Sequence, residues 1–433
     1  MKRILHLFLL AWCCLPILAQ NNSNWKMAII SDVHIMAPAL LQQEGSAFQK
    51  YVTHDRKMLK ESPELLKSCI GDLIKAHPQV VLITGDLTKD GEKLSHEYLS
   101  RELLLPLKEA GIAVYVIPGN HDINNPHAVV FLGDSVKRTD TVTPEEFARY
   151  YQDYGYGQAI ARDPHSLSYV VQLNEHTRLL GIDACKYEEN NFERNTCVTG
   201  GRIKPETMEF IRAQVEDAEK HGCHLLTMMH HGLIRHWKWQ DKVMKPYLVD
   251  HWKKRSKEFA RLGLDVVFTG HFHAQDISSR KKRGRTVYDI ETGSTVSYPL
   301  PYHLITFNGR QLHIETHYIR NISSVASAQD LKDRALRFAK SGMGTIVRGM
   351  LPAKVPDTLA QKAGVILGEA YAAHLGGDER MPATYRAELK GVCKQLRHYT
   401  WKYAFALGKV GKYLYTDLPP QDNNVTIETL YAY

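Results

Sequence analysis

The sequence predicts an α/β fold followed by an all-α appendage, and three observations lead there. Short apolar runs alternate with amphipathic helical patterns along the first three quarters of the chain. Each of five apolar runs ends in a cluster of Asp, Asn, Gly or His. After about Asn321 strand-like runs give way to helical periodicity alone.

The chain begins with Lys2 and Arg3, and an apolar run from Ile4 to Leu18 follows, broken by Pro16. A small residue, Ala19, precedes Gln20, and the pattern reads as a secretory signal peptide over 1–19. The run is shorter than the ~20 residues of a spanning helix. The expectation is an exported protein, periplasmic or extracellular, with no transmembrane segment in the mature chain. Loss of the leader lowers the formal charge from +8 to +6. That excess is modest and dispersed, so it favours anionic substrates weakly and gives no basis for specific nucleic-acid binding. With 433 residues, 44% hydrophobic and 24% charged, the remainder reads as a large globular unit at 24–320 and a helical region at 321–433. Cys69, Cys185, Cys197, Cys223 and Cys393 remain in the mature chain. Cys185 and Cys197 flank a polar loop, where a bridge in an oxidising compartment and two free thiols are both open readings.

Met27 to Ile30, Val80 to Ile83, Ala113 to Ile117, Leu225 to Met229 and Val266 to Phe268 read as buried strands. Leu167 to Leu173, Thr177 to Ile182, Thr286 to Glu291 and Tyr302 to Ile319 extend the set. Asn308-Gly309 predicts a type I′ hairpin turn within the last, with Leu312, Ile314, Thr316 and Tyr318 on its inner face. Pro63 to Lys75 carries an apolar stripe of Leu65, Leu66, Cys69, Ile70, Leu73 and Ile74, and His77-Pro78 ends it. Ser95 to Ala110 and Pro205 to His221 predict further helices. In the tail, Ser327 to Lys340, Pro356 to Leu375 and Pro382 to Leu414 do the same.

The polar clusters lie past the carboxyl ends of the strands, where α/β sheets collect ligands. Asp32-Val33-His34 sends two side chains the same way if extended. Asp86 follows the turn-forming Gly85, and its two oxygens can serve two metals. In Gly119-Asn120-His121-Asp122, Asn120 offers a neutral carbonyl ligand and His121 a general acid or charge stabiliser. His230 directly follows its strand and is the expected ligand, with the adjacent His231 facing away. Gly270-His271-Phe272-His273 repeats the period-two spacing of the first motif. Asp32, His34, Asp86, Asn120, His230, His271 and His273 therefore form a donor set for two divalent cations, with Mn, Fe and Zn all suited. Two such ions, ~3.5–4 Å apart, lower the pKa of a water and clamp phosphoryl oxygens.

Taken together, these motifs resemble those of the calcineurin-like metallophosphoesterases over roughly residues 25–320. The resemblance implies a four-layer α/β/β/α sandwich with the metal site between two mixed sheets. It implies that Asp32, His34 and His273 bind one metal, that Asn120, His230 and His271 bind the other, that Asp86 bridges them, and that His121 is the proton donor. Lys89 stands where the Ser/Thr phosphatase branch has an aspartate that orients the catalytic His, so sequence assigns His121 no orienting partner. No tyrosine ligand of the purple acid phosphatases follows Asp86, and nothing matches the specificity domain of the exported nucleotidases. The expected activity is hydrolysis of a small phosphate ester. Diesters are slightly favoured, because no fixed Arg pair for a terminal phosphate is evident. The alternative is a non-catalytic metal-binding module that kept the fold. Substrate-selecting loops are expected at Ala37 to His54, Asn124 to Tyr156, Lys186 to Gly201 and Leu233 to Asp250, the last rich in Trp, Lys and His. Lys390, Lys394, Arg397, Lys402, Lys409 and Lys412 read as a solvated face of the tail.

Overall fold

The computed structural model describes residues 25–53, 55–307 and 310–429. The leader at 1–19 and the Asn308-Gly309 turn lie outside the described residues.

Two mixed sheets form the body. The first has the strand order Asn424–Glu428, Gln311–Tyr318, Pro301–Phe307, Trp25–Ile30, Val80–Ile83, Ala113–Val116. Its last three strands run parallel, and the others pair antiparallel. The second runs Asp276–Lys282, Arg285–Glu291, Val266–Thr269, His224–Met229, Thr177–Ile182, Tyr169–Asn174, Ala161–Arg162. One core lies between them. Met27, Ile29 and Leu82 from the first sheet share it with Leu226, Met228 and Phe268 from the second. Strand alternation sends Leu225, Met229 and Val267 to the other face, where helices Pro205–Lys220 and Trp252–Leu262 cover them. On the outside of the first sheet lies helix Ser62–Ala76, whose predicted stripe is buried from Leu65 to Leu73. The result is the four-layer α/β/β/α sandwich. Along strand Gln311–Tyr318, Leu312 and Ile314 are buried, while Thr316 and Tyr318 are half-buried at its far end.

Several elements depart from the expectation. The predicted helix Ser95 to Ala110 is broken into Lys93–Tyr98, a π-helical turn Leu99–Leu103, and Leu105–Glu109. Pro106 supplies no N–H there and crowds the preceding turn, so a continuous helix cannot pass it. The expected loops at 37–54 and 124–156 contain a small sheet of Leu41–Gln43, Val129–Leu132 and Ser135–Arg138. They also hold helices Ser46–Thr53 and Pro144–Tyr150, the latter closed by a Thr143–Glu146 capping box. Cys185 and Cys197 are free thiols with separate partners: Cys185 Sγ donates to the Pro118 carbonyl at 3.4 Å, and Cys197 Sγ lies 2.8 Å from Asn125 Oδ1.

The C-terminal region is helical from Ala328 to Tyr413, in four helices: Ala328–Met350, Asp357–Gly376, Ala383–Leu396 and Trp401–Tyr413. It is not wholly helical, because Asn424–Glu428 returns to pair with Gln311–Tyr318. The first two helices pack closely where Gly364 meets Gly344; a Cβ on Gly364 would stand 2.9 Å from the Gly344 carbonyl oxygen. They form a separate core with Trp237, Phe272 and Ala274 from the sandwich. Among the described residues no helix is long and apolar enough to cross a membrane.

Candidate metal centre and active site

The five motifs meet at one end of the sandwich. Asp32, His34, Asp86 and His273 each place a donor atom within 4.8 Å of the others, and Asp86, His230 and His271 do the same. Asp86 belongs to both groups. Its Oδ2 lies 3.6 Å from His34 Nε2, and its Oδ1 lies 3.4 Å from His230 Nε2. Asn120 joins the second group, with Oδ1 at 3.2 Å from His230 Nε2.

The side chains converge by a route that strand alternation does not describe. Asp32, His34, Asp86, His271 and His273 all adopt left-handed backbone, with φ of 50, 39, 48, 80 and 71°. The expectation that Asp32/His34 and His271/His273 align through an extended chain is therefore corrected. Each residue turns individually, at a cost of ~1–3 kcal/mol for a strained non-glycine position. Neighbouring bonds hold the turns. Asp32 accepts from the His271 N–H at 3.0 Å, and His34 N donates to the Asp86 carbonyl at 3.0 Å. Asp122 welds two motifs together: its carboxylate accepts from the N–H of Leu87, Thr88 and Gly119 at 2.8–3.0 Å. Glycine is required beside these donor groups for close approach. A Cβ on Gly119 would sit 2.1 Å from Asp86 Oδ1, and one on Gly85 would sit 2.6 Å from His230 Nδ1.

The ring orientations suit a metal. His230 Nδ1 donates to the Thr84 carbonyl at 2.8 Å, which leaves Nε2 as a lone-pair donor toward Asp86. His273 Nδ1 lies 3.1 Å from Ser297 Oγ, and its Nε2 points to His34 Nε2 at 3.2 Å. His34 Nδ1 and His271 Nε2 are buried with no hydrogen-bond partner among the described residues. Burial, Lys57 and the neighbouring histidines hold His34 well below the ordinary imidazole range. Burial and the rings of His231 and His230 do the same to His271. Against its own burial, Asp86 is drawn well below the carboxylate range by His230 and His121. Burial opposes the protonation of His230, and Asp86 outweighs it, raising this group to about 9. The neutral rings of His34 and His271 beside the ionised Asp86 are donor chemistry that borderline divalent cations take, and an ion at His230 would replace the proton that Asp86 holds there.

His231 faces away as expected. Its Nε2 bonds the Thr199 carbonyl at 3.0 Å and its ring packs on His271 at 4.5 Å between centroids. His121 stands at the rim of a cleft of about 140 Å³ lined also by Arg56, Lys57, Thr199, Tyr247, Phe272 and His273. Its Nδ1 lies 2.7 Å from the Lys89 carbonyl and 3.0 Å from Asp90 Oδ1. A carbonyl only accepts, so Nδ1 carries hydrogen and Nε2 faces the cleft. Asp90, one position beyond the expected aspartate, is thus the orienting partner that sequence left unassigned. Lys89 turns inward instead and is fully buried between Asp90 (2.6 Å) and Glu92 (2.8 Å). Burial and Lys57 disfavour the charged ring of His121, but Asp86 and Asp90 raise it above its ordinary value.

Sequence reasoning missed Arg56 and Lys57. They follow the expected loop 37–54, and nothing local marks them. Arg56 reaches the cleft because the C-terminal helix Asp357–Gly376 holds it: Nη1 donates to the Tyr371 hydroxyl at 3.1 Å. In the loop 233–250, Trp237 is fully buried beneath Phe272 rather than open to a ligand, at 6.5 Å between ring centroids.

The family model described as calcineurin-like phosphoesterase matches residues 26–275, more than half of the chain. The chain belongs to the calcineurin-like phosphoesterase family and is a metal-dependent hydrolase of phosphate esters. No curated protein sequence matches it. Among solved structures, a dimetal phosphatase from Danio rerio is 12% identical with a TM-score of 0.46, covering 68% of this chain and 96% of that one. A purple acid phosphatase from yellow lupin (Lupinus luteus) seeds is 12% identical with a TM-score of 0.43, covering 70% and 53%. A Plasmodium protein described as the anchor in the inner membrane complex is 10% identical with a TM-score of 0.33, covering 77% and 98%.

Proposed function

We propose that this chain hydrolyses phosphate monoesters with a pair of divalent cations and His121 as the proton donor. The observation that carries the reading is the double membership of Asp86, one oxygen toward each donor group. Asp32, His34 and His273 would hold one ion, and Asn120, His230 and His271 the other. Bound there, the ions would activate a water and take up charge on the phosphoryl oxygens.

The protein's own groups do the remainder. Arg56 and Lys57 line the cleft and attract the non-bridging oxygens of a terminal phosphate. Their presence supports a monoester over the slightly favoured diester, because a dianionic monoester is the substrate that extra cations serve. His121, with Nδ1–H fixed by Lys89 and Asp90, presents Nε2 to the leaving oxygen and gives it a proton. The test compares p-nitrophenyl phosphate with its bis ester, with Mn²⁺, Zn²⁺ or Fe²⁺ supplied. Faster turnover of the monoester is expected. Preference for the bis ester would overturn the substrate class, and no hydrolysis of either by metal-loaded protein would favour the non-catalytic module. Export is part of the same proposal and rests on the leader pattern at 1–19. Sequencing the amino terminus of protein recovered outside the cytoplasm tests it, with an intact Met1 as the contrary result.

A further inference from the structure

A second group of donors lies behind Phe272, sealed from solvent. Asp276 opens strand Asp276–Lys282, His374 sits in the last turn of helix Asp357–Gly376, and Glu379 follows shortly after that helix. Their exposures are 1%, 0% and 7%. One donor atom from each lies within 4.8 Å of the others. A cation with bonds of ~2.0–2.4 Å gathers its ligands within that span.

The atoms left over are the second observation. Asp276 Oδ2, His374 Nε2 and Glu379 Oε2 are all buried with no hydrogen-bond partner among the described residues. Native interiors seldom leave such atoms alone, and here they occur together on three ligating side chains. Asp276 Oδ1 accepts from Ser278 Oγ at 3.0 Å, and His374 Nδ1 and Glu379 Oε1 face each other directly, a pair that a shared ion would part.

Charge balance points the same way. Asp422 adds a further carboxylate, already engaged by the N–H of Ile277 and Asp378 at 2.8 Å each. His236 faces the cluster but is bound to Glu291 at 2.7 Å and lies 3.6 Å from Asp276.

We propose that Asp276, His374 and Glu379 hold a structural divalent cation, separate from the catalytic pair, that fastens the C-terminal helices to the sandwich. One imidazole with two carboxylates suits Zn²⁺ or Mn²⁺. The position makes mechanical sense. Gln275 N donates to the Leu375 carbonyl at 3.2 Å, and a Cβ on Gly377 would stand 2.7 Å from the Gln275 oxygen. The His374 ring packs on Phe272 at 5.4 Å, and Phe272 lies between His271 and His273. The ion would thereby set the back wall of the active site without touching substrate.

Zn²⁺ is the probe. An Asp86→Ala chain, stripped with chelator and reloaded, is expected to keep about one equivalent of zinc by mass spectrometry, with a Tm raised by several degrees. Adding His374→Gln to that chain abolishes both. In the otherwise native protein, Asp276→Asn lowers zinc content by about one equivalent. Equal zinc content in Asp276→Asn, His374→Gln and the native chain would overturn the proposal. So would an equal Tm rise in Asp86→Ala with and without His374→Gln. If the variants do not fold, zinc-edge anomalous scattering from native crystals decides. A peak between the three side chains supports the site, and its absence with both catalytic positions filled refutes it.

Discussion

Replacing Asp90 by Asn isolates the charge behind the proposed proton donor while keeping the shape. His121 Nδ1 retains the Lys89 carbonyl at 2.7 Å, so the tautomer stays fixed and Nε2 still faces the cleft. Asn keeps its oxygen for the His121 Nδ1–H and turns its amide nitrogen to the Tyr51 hydroxyl, 2.7 Å from Asp90 Oδ2, which can accept, while Lys89 retains Glu92 at 2.8 Å. What disappears is the negative charge 3.0 Å from the ring that favours its protonated form. A hydrogen bond to a charged group is worth ~1.5–3 kcal/mol and a neutral one ~0.5–1.5, so the loss is ~1–2 kcal/mol. That corresponds to a ~5–30-fold fall in kcat/KM when proton donation limits the rate. The assay is a leaving-group series. Alkyl phosphates, which need the proton, should show the full loss, and p-nitrophenyl phosphate, which does not, should change little. An equal loss for both kinds of ester would refute the reasoning and make Asp90 a structural support for the buried Lys89.

Gly119→Ala should lose ~100-fold or more in kcat, because its Cβ would press on Asp86 Oδ1 at 2.1 Å and on the Asp86 backbone nitrogen at 2.2 Å; reduced metal content by mass spectrometry checks the cause. Tyr371→Phe removes the hydroxyl that holds Arg56 at 3.1 Å, and a ~5-fold loss in kcat/KM, mainly through KM, is expected in steady-state kinetics. His303 is buried and held down to about 3 by its burial and by His317. An unfolded imidazole titrates at ~6.5. Below that pH the unfolded chain takes a proton that the folded chain refuses, so stability is lost as pH falls. Between pH 7 and 5 the native protein should lose ~2 kcal/mol more than His303→Gln, measured by urea unfolding.

The residues that meet at the candidate metal centre were legible because each motif combines a buried strand, a turn and a polar donor in a few consecutive residues. Asp32, His34, Asp86, Asn120, His230, His271 and His273 needed no long-range information beyond the sheet that gathers them. The manner of convergence was not legible. Period-two spacing suggested extended chain, whereas His271 and His273 turn through positive φ. Asp90 was hidden by a different effect. Its spacing from Asp86 is one residue longer than the family pattern, and only the inward turn of Lys89 brings it to His121. Arg56 was further out of reach. Its place depends on Tyr371, 315 residues away, and no local pattern encodes a partner at that separation. Trp237 misled because an aromatic in a polar loop looks like a contact surface until a second core is built over it.

The short strand Asn424–Glu428 changes what the C-terminal helices are able to do. They leave the first sheet after Gln311–Tyr318 and come back to that same strand's open edge. Being moored at both ends on one strand, they are held against swinging away from Arg56 as a flap. Clipping the chain before Asn424 would bare the hydrogen-bonding edge of Gln311 to Glu315, an invitation to sheet-to-sheet sticking between molecules.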